Sequence, residues 1–176
     1  MSEDTIIYNS PNPASGNDEN RQLVAYFASK EQQEQALADA AGVYHTSNAV
    51  LGAIHDPHQA HALSCVAYPK VPFALIKNGL ALSNLDYQQI MGHSWASIRT
   101  RNNDDLVGIE HSERLVYNAL VLIKGREIFG NDAALNRWLR KFNPYLNSVP
   151  LALLKSTPGA QLLLDELERI YEGHLA

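Results

Sequence analysis

The longest periodic run in this chain lies between Ile109 and Phe129. Its apolar positions Leu115, Val116, Ala119, Leu120, Leu122 and Ile123 recur at intervals of three and four residues. That period lines them up along one side of an α-helix. It excludes a half-buried strand, whose side chains alternate every second residue. A helix with such a stripe has to bury it, as plain core or as a contact between two copies of the chain, and the pattern allows both. No segment shows convincing period-two alternation and no unit repeats, so the expected fold is all-α.

Helix start and stop signals divide the rest. Ser29 followed by Gln32 reads as a capping box for a helix ending at Gly42, and Ser47 as the cap of another. Asp56-Pro57 is an N-cap and first-position pair for a helix that Pro69 closes. Short helices follow: VPFALIKNGL ending near Gly79, LDYQQIM capped by Ser83 or Asn84 and stopped by Gly92, and WASIRTR capped by Ser94. Glu110, His111, Ser112 and Glu113 read as the start of the long helix, which Gly130 ends. Asn131 caps DAALNRWLRKF, Asn143-Pro144 breaks the chain, Val149-Pro150 opens LALLK, and Thr157-Pro158 opens the last helix. Residues 1–20 read as a flexible arm, 21–70 as a helical N-terminal extension, 71–130 as a helix-turn-helix with a long linking helix, and 131–176 as a small helical domain.

Charge is unevenly spread. The chain has 14 basic and 19 acidic residues, a formal net charge of −5. Eight acids and three bases fall in residues 1–70, and later segments balance. This excludes a protein that coats nucleic acid by bulk charge, and places any contact with a polyanion beyond residue 70. Cys65 is the single cysteine, so no intrachain disulfide and no cysteine zinc finger can form. A reducing, cytoplasmic location is the expectation. The acidic start is not a signal peptide, and no apolar run approaches the roughly 18 residues that cross a membrane.

Catalytic and metal signatures are thin. His55, His58 and His61 are spaced three apart, with His45 upstream. Pro57 places a helix start between the first two, so they read as solvated or core-edge histidines rather than ligands. The chain has no GxSxG, P-loop or GxGxxG pattern. The expectation is a non-enzyme with no cofactor and no metal.

Leu85 to Arg101 follows the plan of a helix-turn-helix, with Gly92 at the turn and Ser94 capping the second helix. Ile98 falls where the second helix packs on the first. Ser94, Trp95, Ser97, Arg99, Thr100 and Arg101 are then the candidate DNA contacts, the arginines for phosphates or guanine edges. Gln88, where such motifs usually pack a small residue, and the Asp104-Asp105 pair count against DNA.

The C-terminal third is the most specific. Glu127, Phe129 and Gly130 precede a helix opened by Asn131 or Asp132. Trp138-Leu139, Asn143-Pro144, Leu146, Pro150, Leu153-Leu154, Thr157, Gly159, Leu167, Arg169-Ile170 and Gly173 follow in order. This set resembles the toxin-binding domain of the Xre/MbcA/ParS antitoxins. Its Leu146–Pro150 loop is about one residue shorter than the family's Leu-Gly-Gly-x-x-Pro, with Asn147-Ser148 in place of the glycines. Residues 71–102 resemble the family's helix-turn-helix portion and 106–123 its linking helix, so the likeness spans about residues 71–173.

The resemblance implies an antitoxin that neutralises a RES-type, NAD⁺-consuming toxin by covering its active site, and that represses its own operon as a homodimer on operator DNA. The candidate toxin contacts are Arg137, Trp138, Arg140, Lys141, Asn143, Leu153, Gly159, Glu172, Gly173 and His174. Two other readings stay open: a stand-alone transcriptional regulator without a toxin, and an interaction protein whose helix-turn-helix no longer binds DNA.

Overall fold

A computed structural model describes residues 19–23, 57–103 and 105–175. The elements from residue 57 onward are α1 (Pro57–Ser64), α2 (Lys70–Gly79), α3 (Asn84–Met91), α4 (Trp95–Arg99), a 3-10 turn (Ile109–His111), α5 (Ser112–Phe129), α6 (Asp132–Arg140), α7 (Pro150–Leu153) and α8 (Thr157–Leu175). Among the described residues there is no strand, only the isolated bridges Pro69–Leu106 and Asn143–Ser148. The protein is all-α. The helices expected from Ser29 and from Ser47 lie outside the described residues, as do His45, His55 and Asp104.

The long helix is the axis of the molecule. Leu115, Val116, Ala119, Leu120, Val121, Leu122 and Ile123 are all fully buried, which takes in more than one side of α5. α1, α2, α3, α6 and α8 pack around it. Of the two roles open to its apolar stripe, this is core: no apolar face of α5 remains to meet a second copy. Burying each large aliphatic side chain there contributes about 1.5–3 kcal/mol.

The N-terminal extension is tied to this axis through residues 19–23. Leu23 is fully buried. The Arg126 guanidinium, itself buried, donates to Asp132 Oδ1 at 2.6 Å, Glu19 Oε2 at 2.6 Å and Asn20 Oδ1 at 2.8 Å. Burial opposes its charge, but Asp132 and Glu19 more than offset that, and its pKa is raised.

Several caps form as expected. Ser83 and Asp86 make a full capping box, Gly92 closes α3 at φ 81°, and Asn131 Oδ1 accepts from Ala134 N at 2.9 Å. Other ends differ. α1 stops at Ser64, and Pro69 opens α2 rather than only closing α1. α4 stops at Arg99, short of the expected WASIRTR, where Lys70 Nζ takes the carbonyls of Arg99 (3.1 Å) and Arg101 (2.9 Å). α6 stops at Arg140, two residues short of the expected Phe142, before extended backbone at Lys141. α8 is capped by Ser156, whose Oγ accepts from Gly159 N at 3.2 Å; Thr157 is already inside the helix.

Candidate functional site

α6 leaves the core carrying Arg137 and Arg140 in its last turn, with Lys141 just beyond. The chain then turns through residues 141–149 before α7. Asn143 organises that turn and is itself buried. Its backbone N–H donates to Ser148 O at 2.9 Å, and Ser148 N returns a bond at 3.4 Å. Its Oδ1 accepts from Tyr145 N (2.8 Å) and Leu146 N (3.3 Å), while Nδ2 donates to Glu166 Oε1 at 3.0 Å. Arg169 donates to both oxygens of the same carboxylate, at 2.7 and 2.8 Å. Hydrogen bonding from Arg169 holds the Glu166 pKa down against the opposing effect of burial, and Asn143 adds to it. The Arg169 guanidinium also lies over the Tyr145 ring, 4.2 Å from its centroid.

This framework presents apolar side chains to solvent. Tyr145 is 77% exposed and Phe142 55%, and Val149 is exposed as well. Large exposed apolar groups on a braced turn are what a protein partner grips. By residue type alone, Phe142 and Tyr145 read as mostly core that forms an anchor patch for a partner where it is left exposed; Val149 is not among the candidates from sequence. Their exposure depends on which way the braced turn points, and the order of residue types does not carry that.

The candidate toxin contacts fall into distinct places. Arg137 and Lys141 are exposed on α6 and just beyond it, and Glu172 and Gly173 are exposed near the end of α8. His174 lies in that helix's last turn. Trp138 is half-buried with its ring 5.5 Å from that of Phe129. Arg140 is exposed but spends its guanidinium on the carbonyls of Leu80 and Ala81. Asn143 braces the turn, Leu153 is half-buried, and Gly159 is buried against the Leu153 carbonyl, where a Cβ would collide.

The helix-turn-helix has its expected skeleton. Ile98 is buried, and the Ser94 hydroxyl accepts from Ser97 N at 3.3 Å. Gln88 is exposed rather than wedged between the helices, so its bulk costs nothing there. α4 has only five residues, roughly 7.5 Å of axis. Most of the candidate DNA contacts have local partners. Trp95 is half-buried against Tyr87, with ring centroids 5.3 Å apart. Ser97 Oγ donates to Ser94 O, Thr100 Oγ1 to Ala96 O, and Arg101 to Ser97 O and Leu106 O. Arg99 is exposed, and its side chain shows no such bond.

Among the described residues, no group of three or more His, Cys, Asp or Glu side chains is placed to hold a metal ion. No described helix is long and apolar enough to cross a membrane.

Residues 124–173 match the family model of the antitoxin Xre/MbcA/ParS C-terminal toxin-binding domain. The matched stretch opens within the last turns of α5 and takes in α6, the braced turn, α7 and most of α8. The match implies an antitoxin role and a toxin partner, and the matched family is normally non-enzymatic. No curated protein matches the chain significantly.

Proposed function

We propose that this chain is the antitoxin of a toxin–antitoxin pair. Its C-terminal segment, residues 131–176, covers the active site of a RES-type, NAD⁺-degrading toxin without any turnover of its own. The match over residues 124–173 carries this reading. The braced turn supports it, because Phe142, Tyr145 and Val149 stand exposed where a partner can bury them. A plug of this kind needs affinity rather than chemistry, and each tenfold in Kd takes only about 1.4 kcal/mol.

The test is co-expression with the product of the adjacent gene. A stable complex and restored growth are expected. Phe142→Ala plus Tyr145→Ala should abolish both while leaving the far-ultraviolet circular dichroism unchanged. Failure of the wild-type chain to bind or rescue overturns the reading.

A second role, repression of its own operon, draws on the exposed Arg99 beside a correctly capped turn. Two recognition helices about 34 Å apart would match a palindrome. The homodimer this calls for has to use a surface other than the apolar stripe of α5. Arg99→Ala should weaken binding to the upstream operator in a gel shift and reduce its salt dependence. Equal affinity of variant and wild type removes Arg99 from the role.

A further inference from the structure

α6 and the turn between α2 and α3 form a shallow, open hollow of about 620 Å³. Its lining is Ala81, Ala133, Asn136, Arg137, Arg140 and Lys141. Three of these six residues are cations and none is an acid. The small side chains of Ala81 and Ala133 leave the space open.

Arg140 is held in place by neutral acceptors. Its Nη1 donates to Asn136 Oδ1 at 2.7 Å, and its Nη2 to the carbonyls of Leu80 (3.1 Å) and Ala81 (2.9 Å). Asn136 Nδ2 donates in turn to Gly79 O at 2.7 Å. These bonds fix the guanidinium without cancelling its charge. The ion pairs among the described residues do not include Arg137, Arg140 or Lys141. Ala81 sits at φ 47°, a left-handed conformation closed by the end of α2, where Ala81 N donates to Asn78 O and Leu82 N to Lys77 O, both at 2.9 Å, and its carbonyl is left to accept from Arg140. The hollow is therefore a preorganised, uncompensated positive site.

We propose that this hollow receives a carboxylate-bearing segment of the protein partner, with Arg137 and Lys141 closing on it and Arg140 as the fixed wall. The inference rests on the toxin-binding reading and adds the chemistry of the surface that docks. Charge complementarity sets the occupant as an anion. Two observations favour protein carboxylates over nucleic acid. The cations are gathered in one shallow depression rather than along a track. Phe142 is next to Lys141 and exposed, and cations mixed with aromatics mark protein–protein contacts.

Two measurements on the full chain test it. In the first, a fluorescein-labelled hexaglutamate peptide is titrated by anisotropy, with a hexalysine peptide and a short duplex DNA as controls. Saturable hexaglutamate binding is expected, abolished by Arg137→Glu plus Lys141→Glu. Both positions are exposed, so the variant should fold, and circular dichroism checks this. Hexaglutamate binding that is absent, or that survives the double reversal, overturns the proposal. So does duplex DNA captured by the wild type and lost in the variant. In the second, association with the adjacent gene's product is followed at low and high salt. The double reversal should lower kon by about tenfold or more, and added salt should lower that of the wild type. A complex whose kon ignores both changes overturns the hollow and leaves the antitoxin reading standing. No complex at all overturns the antitoxin reading, and the hexaglutamate titration then decides the hollow alone.

Discussion

At the scale of single residues, His93 shows how surroundings set a property that its neighbours in sequence do not suggest. Its Nε2 lies 3.0 Å from Tyr87 Oη and its Nδ1 3.2 Å from Met91 O. The carbonyl can only accept, so Nδ1 carries the proton and Nε2 accepts from the tyrosine. The ring sits 4.0 Å from that of His111 and edge-on to Phe73. Burial, then the charges of His111, Arg101 and Arg114, outweigh the Met91 hydrogen bond and lower its pKa to about 4. The folded protein thus holds His93 neutral, while the unfolded chain protonates it near the ordinary 6.5. The stabilisation is complete above the unfolded value and is lost as pH falls from there toward about 4. His93 is only half-buried, so after discounting for solvent the loss between about pH 7.5 and about pH 5 should be about 1 kcal/mol. Urea midpoints at the two pH values measure it, and His93→Phe should flatten the difference. Asn147 is a case where sequence spoke more directly. It stands where the resembling family has glycine, and its φ is 46°, which asparagine tolerates better than most residues. Asn147→Gly should change stability by less than about 0.5 kcal/mol, whereas Asn147→Val should cost about 1–3 kcal/mol. Thermal melts of the two variants check the contrast.

At the scale of elements, what was legible is local chemistry. The caps at Ser83, Ser94 and Asn131 and the stop at Gly92 each depend on one side chain and a few neighbouring amides, so residue type and spacing suffice. Ser83→Ala removes the α3 capping box and should cost about 1 kcal/mol, read from the urea midpoint. One helix end that differed was set by a partner distant in sequence. α4 ends where Lys70, about thirty residues earlier, takes up its last carbonyls. The start of α8 is governed by packing on α7 as well as by its cap. Gly159 lies so close to the Leu153 carbonyl that Gly159→Ala has to push the two apart. That substitution should cost about 1–3 kcal/mol in a thermal melt, although alanine is the better helix former. If it is neutral or stabilising, α8 does not press on α7 as described. The braced turn lay beyond sequence reasoning for the same reason. Asn143-Pro144 marks a break, but the orientation of Tyr145 depends on Glu166 and Arg169, in the middle of α8.

At the scale of the whole molecule, the boundary drawn after residue 130 divides the sequence without dividing the packing. Asn136 and Arg140 on α6 bond to the carbonyls of Gly79, Leu80 and Ala81, and Asp132 holds Arg126 on α5. α8 packs along α5, so the two segments share one core whose centre is the helix that links them. A segment cut at residue 131 would expose Leu135, Leu139, Leu163 and Leu167, all fully buried in the intact chain. It would also lose every contact with α5. Burying such side chains contributes about 1.5–3 kcal/mol each, and whole domains are stable by only about 5–15 kcal/mol. The isolated segment 131–176 should therefore be unfolded, with little helical circular dichroism. The full chain should unfold in one transition, with the calorimetric enthalpy equal to the van't Hoff enthalpy. Two resolved transitions, or a helical and cooperative 131–176 fragment, would show that the seam is weaker than its hydrogen bonds suggest. Under a single transition, a truncation that fails to bind the toxin reports lost folding rather than a lost contact. The exposed substitutions at Phe142, Tyr145, Arg137 and Lys141 are then the ones that can separate binding from stability.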